Sequence, residues 1–325
     1  MKGFAIALKT VSVAVVALLI LSACGNGKHA SNASGSAGAD GSNGTAEGSG
    51  QAPNEKVTLK IMFQKGQGEG PDPLYDWMQE NVRLYEEKHP NVKFDVIANT
   101  SSDNYLTVIT TEMAANNLPD IFQGWTLERM RPFAESGRIY DLSDAIASYP
   151  DWQQHLSAEG LKATTFNGKV YGLPLEQAVE VVFYNKKVFA DHGLDVPKTY
   201  DDFLHIVDVL RKDGIVPMTV PNKEPWVGSI PYMTLFERIG GLEAYEKTVI
   251  RGEGKWTDEP FIQAGNLLKD LINRGAFDKN VNSITMEESE IKLAEGKAGM
   301  YMQGSWSIPS MIRRLGDNLG FFQFP

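Results

Sequence analysis

Val57-Thr-Leu-Lys-Ile-Met-Phe63 alternates apolar and polar residues and predicts a β-strand. A glycine-rich stretch, Gly66-Gln-Gly-Glu-Gly70, follows it, and Asp72-Pro73 then opens a helix with Asp as cap and Pro in the first turn. Leu74, Trp77, Met78, Val82 and Tyr85 fall on one face of that helix, with Trp77 expected to pack into the core, and His89-Pro90 stops it. Val92-Lys-Phe-Asp-Val96 alternates again. Asp103 is placed to cap a second helix whose Leu106, Ile109 and Met113 point inward, and Asp120-Ile-Phe122 reads as a short buried strand. Strand, helix, strand, helix, strand predicts an α/β unit on a mainly parallel sheet.

The remainder of the chain repeats this style. Val181-Val-Phe-Tyr184 predicts a strand, and a short helix ends at Gly193. Thr199-Tyr-Asp-Asp202 has the spacing of a capping box before Phe203, Ile206, Val207 and Leu210. A strand is expected over 215–220 and an apolar helix from Pro231, closed by Gly240-Gly241. Another helix carries Phe261, Ala264, Leu267, Leu268, Leu271 and Ile272 and is closed by Gly275. Ala298-Gly-Met-Tyr-Met302 predicts a strand that turns at Gly304 into a helix near Trp306, and 319–324 predicts one more. The whole reads as two α/β lobes joined by strands near 174–182.

Residues upstream of the first strand have a different character. Lys2 and Lys9 precede an apolar run over 11–21, shorter than the ~20 residues of a spanning helix. Leu21-Ser-Ala-Cys24-Gly25 ends it, the pattern of a secretory signal. Between Gly25 and Lys56 there is no Val, Ile, Leu, Met, Phe, Tyr or Trp, so this stretch cannot offset chain entropy by burial and is expected to be a flexible tether.

Composition narrows the chemistry. Among 325 residues, 31 are Lys or Arg and 41 are Asp or Glu, a net charge of -10 that argues against nucleic acid. Removing the signal deletes Lys2 and Lys9 and makes the chain still more acidic. One cysteine excludes an internal disulfide framework and disfavours a cysteine zinc site. The five histidines (29, 89, 155, 192 and 205) are never three or four residues apart, so no helical metal pair is present. Neither a nucleophile elbow nor a Gly-Lys-Ser/Thr phosphate loop occurs. The glycine-rich stretch is unsuited to a pyrophosphate, because Pro71 and Pro73 remove N–H donors where a helix start would supply them.

Tryptophans are more informative. Trp125, with Glu128 and Arg129 just after it, follows the strand near Phe122. Glu224-Pro225-Trp226 follows the strand over 215–220, and Trp306 follows the strand ending near Met302. Open α/β sheets bind ligands at these carboxyl ends. Each tryptophan there either packs in the core or offers an indole face to a sugar ring, whose hydroxyl rim suits nearby carboxylates and guanidinium groups. Trp77, Trp152 and Trp256, within or before helices, are assigned to packing or surface.

Several ordered segments resemble one family. They are Leu118-Pro-Asp-Ile-Phe122, Pro132-Phe-Ala-Glu-Ser-Gly137, Tyr140-Asp-Leu142, Asn167-Gly-Lys-Val-Tyr-Gly-Leu-Pro174, Phe183-Tyr-Asn-Lys186, Pro197-Lys-Thr-Tyr-Asp-Asp-Phe203, Gly296-Lys-Ala-Gly-Met300 and Gly304-Ser-Trp306. Together they resemble the extracellular solute-binding proteins of ABC sugar importers, the class that includes maltose-binding protein. The cysteine after Leu21-Ser-Ala likewise resembles a lipoprotein box, implying cleavage before Cys24 and a diacylglycerol on its sulfur.

The resemblance implies a two-lobed α/β fold of the periplasmic-binding-protein type II class, closing on a ligand like a clamp. The expected organisation is a signal peptide over 1–23, a tether over 24–56, a first lobe over 57–176 and a second over 177–325. Family members continue beyond the position of Pro325 and cross back into the first lobe, so the C-terminal part is expected to be missing.

Carried over residue by residue, the resemblance places Gln64, Lys65, Trp125, Glu128, Arg129, Glu176, Glu224, Trp226 and Trp306 at the ligand. Gln64 stands where an Asp is expected, and Glu128 with Arg129 match an acid–base pair that contacts the sugar. The implied role is capture of a carbohydrate and its delivery to the permease subunits of an ABC transporter. The protein would be a monomer lipid-anchored through Cys24 on the extracytoplasmic face of the membrane, with no metal, no cofactor and no catalysis. Two alternatives stay open: a secreted glycoside hydrolase using two acids across the cleft, and a binder of another solute such as a polyamine held by Glu128, Glu176 and Glu224.

Overall fold

The computed structural model describes residues 55–65, 72–99 and 102–325. The expectations for the signal, Cys24, most of the tether and the glycine-rich stretch fall outside these residues.

β1 (Val57–Gln64), β2 (Val92–Asn99) and β3 (Ile121–Phe122) form one sheet in the order β2-β1-β3, all parallel. Ile61, Met62 and Phe63 are buried consecutively, so the central strand is covered on both faces. Ile61 and Phe63 cluster with Met78 of the helix Pro73–Lys88, while Met62 meets Tyr105 and Ile109 of the helix Ser102–Ala114. Asp72 caps the first helix, accepting the Tyr75 N–H at 3.0 Å.

Two expectations need correction here. Trp77 is 51% exposed, and only Met78 of its helix is buried, with Leu74, Tyr75 and Val82 half-buried around it. The contact stripe is narrower than the apolar face drawn from periodicity. The second helix opens at Ser102, so Asp103 stands within it rather than at its cap; its phase is set by buried Tyr105 and Ile109.

β4 (Thr165–Phe166) and β5 (Lys169–Val170) form a hairpin. Asn167 and Gly168 both take positive φ, 51° and 77°, the geometry for which Asn-Gly is preferred. The expected joining strands over 174–182 are not all there: residues 171–179 belong to no helix or strand, and the next strand begins at Glu180.

The second sheet comprises β6 (Glu180–Asn185), β7 (Val216–Thr219), β8 (Ala298–Gly304) and β9 (Leu319–Phe322) in the order β7-β8-β6-β9. β7 and β8 are parallel, but β6 runs antiparallel to both its neighbours, so this sheet is mixed rather than mainly parallel. Strand direction is a property of the connections and leaves no mark in apolar alternation. Every residue of β8 is buried, as befits an interior strand.

The helix Tyr200–Lys212 presents Phe203, Ile206, Val207 and Leu210 to this sheet, all fully buried or nearly so. Its capping box is formed: Thr199 Oγ1 accepts the Asp202 N–H at 3.1 Å, and Asp202 Oδ2 accepts the Thr199 N–H at 2.9 Å. The apolar helix after Pro231 does not stop at its glycines. It spans Ser229–Tyr245 with a break at Gly241, whose φ of 64° and ψ of -175° suit glycine alone, and the chain resumes helix beyond.

Candidate functional site

The carboxyl ends of β7 and β8 and the start of β6 share one edge of the second sheet, since Glu180 pairs with Gly304 and Thr219 with Tyr301. The loop after β7 carries Glu224 and Trp226, and the turn after β8 carries Trp306. The structure brings the two indoles together, with ring centroids 5.9 Å apart and planes inclined at 54°.

Their roles differ. Trp226 is half-buried against the lobe core, whereas Trp306 is 44% exposed. A Cβ on Gly304 would stand 2.1 Å from the Trp306 ring, so the absence of a side chain lets that indole lie over the end of its own strand. The turn is fixed to the segment entering β6, because the Ser305 N–H donates to Val179 O at 2.9 Å and the Val179 N–H to Ser305 Oγ at 3.3 Å. Beneath this edge lies buried Tyr301, its phenol accepting from Gln303 Nε2 at 3.0 Å. Burial pushes the Tyr301 phenol well above its usual range, and the charges of Glu290 and Glu224 add to this.

The first sheet gathers a second group at its own carboxyl edge. The Gln64 N–H donates to Gln123 Oε1 at 2.9 Å, and the Lys65 N–H to Asn99 O at 2.8 Å. Lys65 Nζ lies 5.4 Å from the Tyr75 ring centroid. Trp125 meets Tyr105 edge-on at 5.6 Å, with the Arg129 guanidinium 5.6 Å from its ring. Tyr105 itself reaches both Met62 O, at 3.0 Å, and Gln123 O, at 2.7 Å, tying β1 to the segment that leads to Trp125.

Glu128 and Arg129 do not pair. Glu128 accepts from Nε and Nη2 of Arg131, at 2.7 to 3.0 Å, and that bond holds its carboxyl below the usual range. The residues occupy a tight helical turn, where neighbours in sequence diverge and residues three apart meet.

Two further carboxylates hold their protons more tightly than usual. Glu176, on the surface in 171–179, has its carboxyl raised by partial desolvation and then by the charge of Asp72. Glu180 escaped the sequence reading; the available signal was an acid opening an otherwise apolar strand. It lines a cavity of about 500 Å³ together with Thr234, Glu237, Tyr245 and Met302. Thr234 Oγ1 donates to Glu180 at 3.4 Å, but burial and then the charge of Glu237 raise the Glu180 carboxyl.

A native acid that holds its proton more tightly than the unfolded chain loses stability as pH rises through its folded pKa. Glu180→Gln is therefore expected to be more stable than the parent at about pH 7, and the gain should vanish near pH ~4, where the unfolded carboxylate also protonates. Urea midpoints at both pH values measure this; an equal gain at both would show that the charge is not its source.

Among the described residues no three His, Cys, Asp or Glu side chains gather as a metal site, and no helix is long and apolar enough to cross a membrane.

Residues 69–319 match the family model of the bacterial extracellular solute-binding proteins. The chain belongs to this family. As a solute-binding protein it is 24% identical to the multiple sugar-binding protein of Streptococcus mutans, over 85% of this chain and 64% of the relative. It is 26% identical to the diacetylchitobiose binding protein DasA of Streptomyces coelicolor, over 83% of this chain and 60% of the relative. A chitin oligosaccharide binding protein of known structure is similar to it with a TM-score of 0.70 and 28% identity, over 83% of this chain and 67% of the other. The solute-binding chain thus spans less than two thirds of the length of these two curated relatives.

Proposed function

We propose that this chain is the capturing receptor of an ABC importer and that its ligand is an oligosaccharide. The observation that carries the reading is the Trp226–Trp306 pair at the carboxyl edge of the second sheet, with Trp306 presenting a half-exposed indole face. Indole faces stack on the C–H faces of pyranose rings. Gln64, Lys65, Trp125, Arg129, Glu176 and Glu224 then supply polar and stacking contacts around the sugar. Glu128 acts from its bond with Arg131. The lobes are 57–176 and 177–325, and the partners are permease subunits in the membrane. The names of the relatives support this, since each is a binding protein for a sugar.

The test is a thermal-shift screen of purified protein against oligosaccharides and polyamines, with the sugars analysed afterwards for cleavage. A ligand at about a hundred times its Kd stabilises by about 2.7 kcal/mol, enough to read as a shift. An oligosaccharide that raises the melting point and is recovered intact supports the receptor. Turnover would establish the hydrolase, and a shift with polyamines alone would establish the other solute class.

Anchoring at Cys24 is part of the same proposal, resting on the sequence pattern that ends at Ala23. Cells fed a radioactive fatty acid should label the parent and leave Cys24→Ala unlabelled; label on the alanine variant would refute the anchor.

A further inference from the structure

We propose that Asn222 is a positioning residue that holds Trp226, and through it Trp306, at the angle the ligand edge requires. The loop between β7 and the helix Ser229–Tyr245 returns almost to its own start. A Cβ on Gly228 would lie 1.9 Å from Asn222 Oδ1, so the side chain of Asn222 fills the place next to the Gly228 backbone. Glu224 and Trp226 lie on the short arc between these two residues.

The closed arc is also fastened outward. Asn222 Nδ2 donates to Asn282 Oδ1 at 2.6 Å, the Asn222 N–H to Val281 O at 3.0 Å and the Lys223 N–H to Ile284 O at 3.1 Å. Within the arc the Val227 N–H returns to Glu224 O at 3.0 Å, and Ser229 Oγ donates to Trp226 O at 2.6 Å. The backbone on both sides of Trp226 is therefore committed, and the side chain of Asn222 joins the arc to the 281–284 turn. Trp226 in turn abuts Trp306.

Asn222 is half-buried and outside the apolar core, so its loss should shift the arc without unfolding the lobe. The side-chain amide matters for its ability to pair: an aspartate at 222 can accept from the amide of Asn282 once that group rotates, whereas alanine cannot pair at all. This role rests on reading the tryptophan edge as the ligand surface, but its first test needs no ligand.

Two indoles this close and this inclined couple their ultraviolet transitions, giving a paired positive and negative circular dichroism signal that Trp306→Phe, as the control, should abolish. Asn222→Ala and Gly228→Ala are expected to reduce that signal to less than about half, with melting points within a few degrees of the parent, and to weaken binding of the oligosaccharide found by the screen several-fold. Asn222→Asp should retain both signal and affinity.

Full coupling in Asn222→Ala and Gly228→Ala would overturn the proposal, as would equal loss in Asn222→Asp and Asn222→Ala. A parent that shows the coupled signal but binds no oligosaccharide would refute the receptor reading and the positioning role with it. A parent that binds, beside an Asn222→Ala chain that keeps its coupling, would refute the clasp alone.

Discussion

Trp306→Ala is expected to weaken oligosaccharide binding by about 1–3 kcal/mol, roughly 5- to 150-fold in Kd, with little change in melting point. The separation follows from where the side chain lies. Its indole is 44% exposed, rests over Gly304 and abuts Trp226, and it belongs to none of the buried clusters. Truncation removes a stacking face but empties no cavity. Trp226→Ala should behave differently, lowering affinity and stability together, because Trp226 is also packed against the core. Isothermal calorimetry and thermal melts on the two variants and the parent measure both quantities. If Trp306→Ala binds as tightly as the parent, the ligand is elsewhere.

The largest expected loss of stability lies at Lys292→Met, about 3–5 kcal/mol. Its partner Asp278 has a side chain only 4% exposed, and Lys292 Nζ donates to Asp278 Oδ1 at 2.7 Å. The other oxygen, Asp278 Oδ2, is buried with no hydrogen-bond partner. Methionine would leave a buried carboxylate with nothing to offset its lost hydration. Replacing both groups, Asp278→Leu with Lys292→Met, should recover most of the loss, since a buried ion pair often adds little over apolar residues of similar size. Denaturant unfolding of the two singles and the double completes the cycle. Near-parent stability for Lys292→Met would mean that water already serves the carboxylate. The pair adjoins Phe277, which bridges to Met218 of β7, so its loss also loosens the strand that leads to the tryptophan loop.

What could be read from the sequence was whatever depends on local spacing. Thr199 to Leu210 is the clearest case, with the capping box and all four buried positions visible in the order of residues. The placement of Trp226 and Trp306 after strands follows from the same kind of reading. Local spacing misjudged Trp77, because the contact stripe of a helix is set by the sheet beneath it, and Met78, with Leu74, Tyr75 and Val82 around it, forms that stripe while Trp77 stays outside. Nor did it show that Glu128 would bond to Arg131, three residues on in a turn that was not foreseen. The direction of β6, the acid pair of Glu180 and Glu237, and the meeting of Asn222 with Gly228 and Asn282 all arise from chain reversals, which short-range pattern cannot register.

The pairings of β6 have a bearing on the order in which the molecule comes into being. The first sheet closes within residues 57–122, between neighbours in the chain. β6 is made early, yet both strands it pairs with lie more than a hundred residues further on, at 298–304 and 319–322. Such distant partners make for slow closure and high contact order. As the chain emerges from the ribosome, the first sheet can form while the second stays open with an apolar strand waiting. The tryptophan edge, hung on the ends of β7 and β8, therefore takes shape only after residues 298–304 and 319–322 have reached β6.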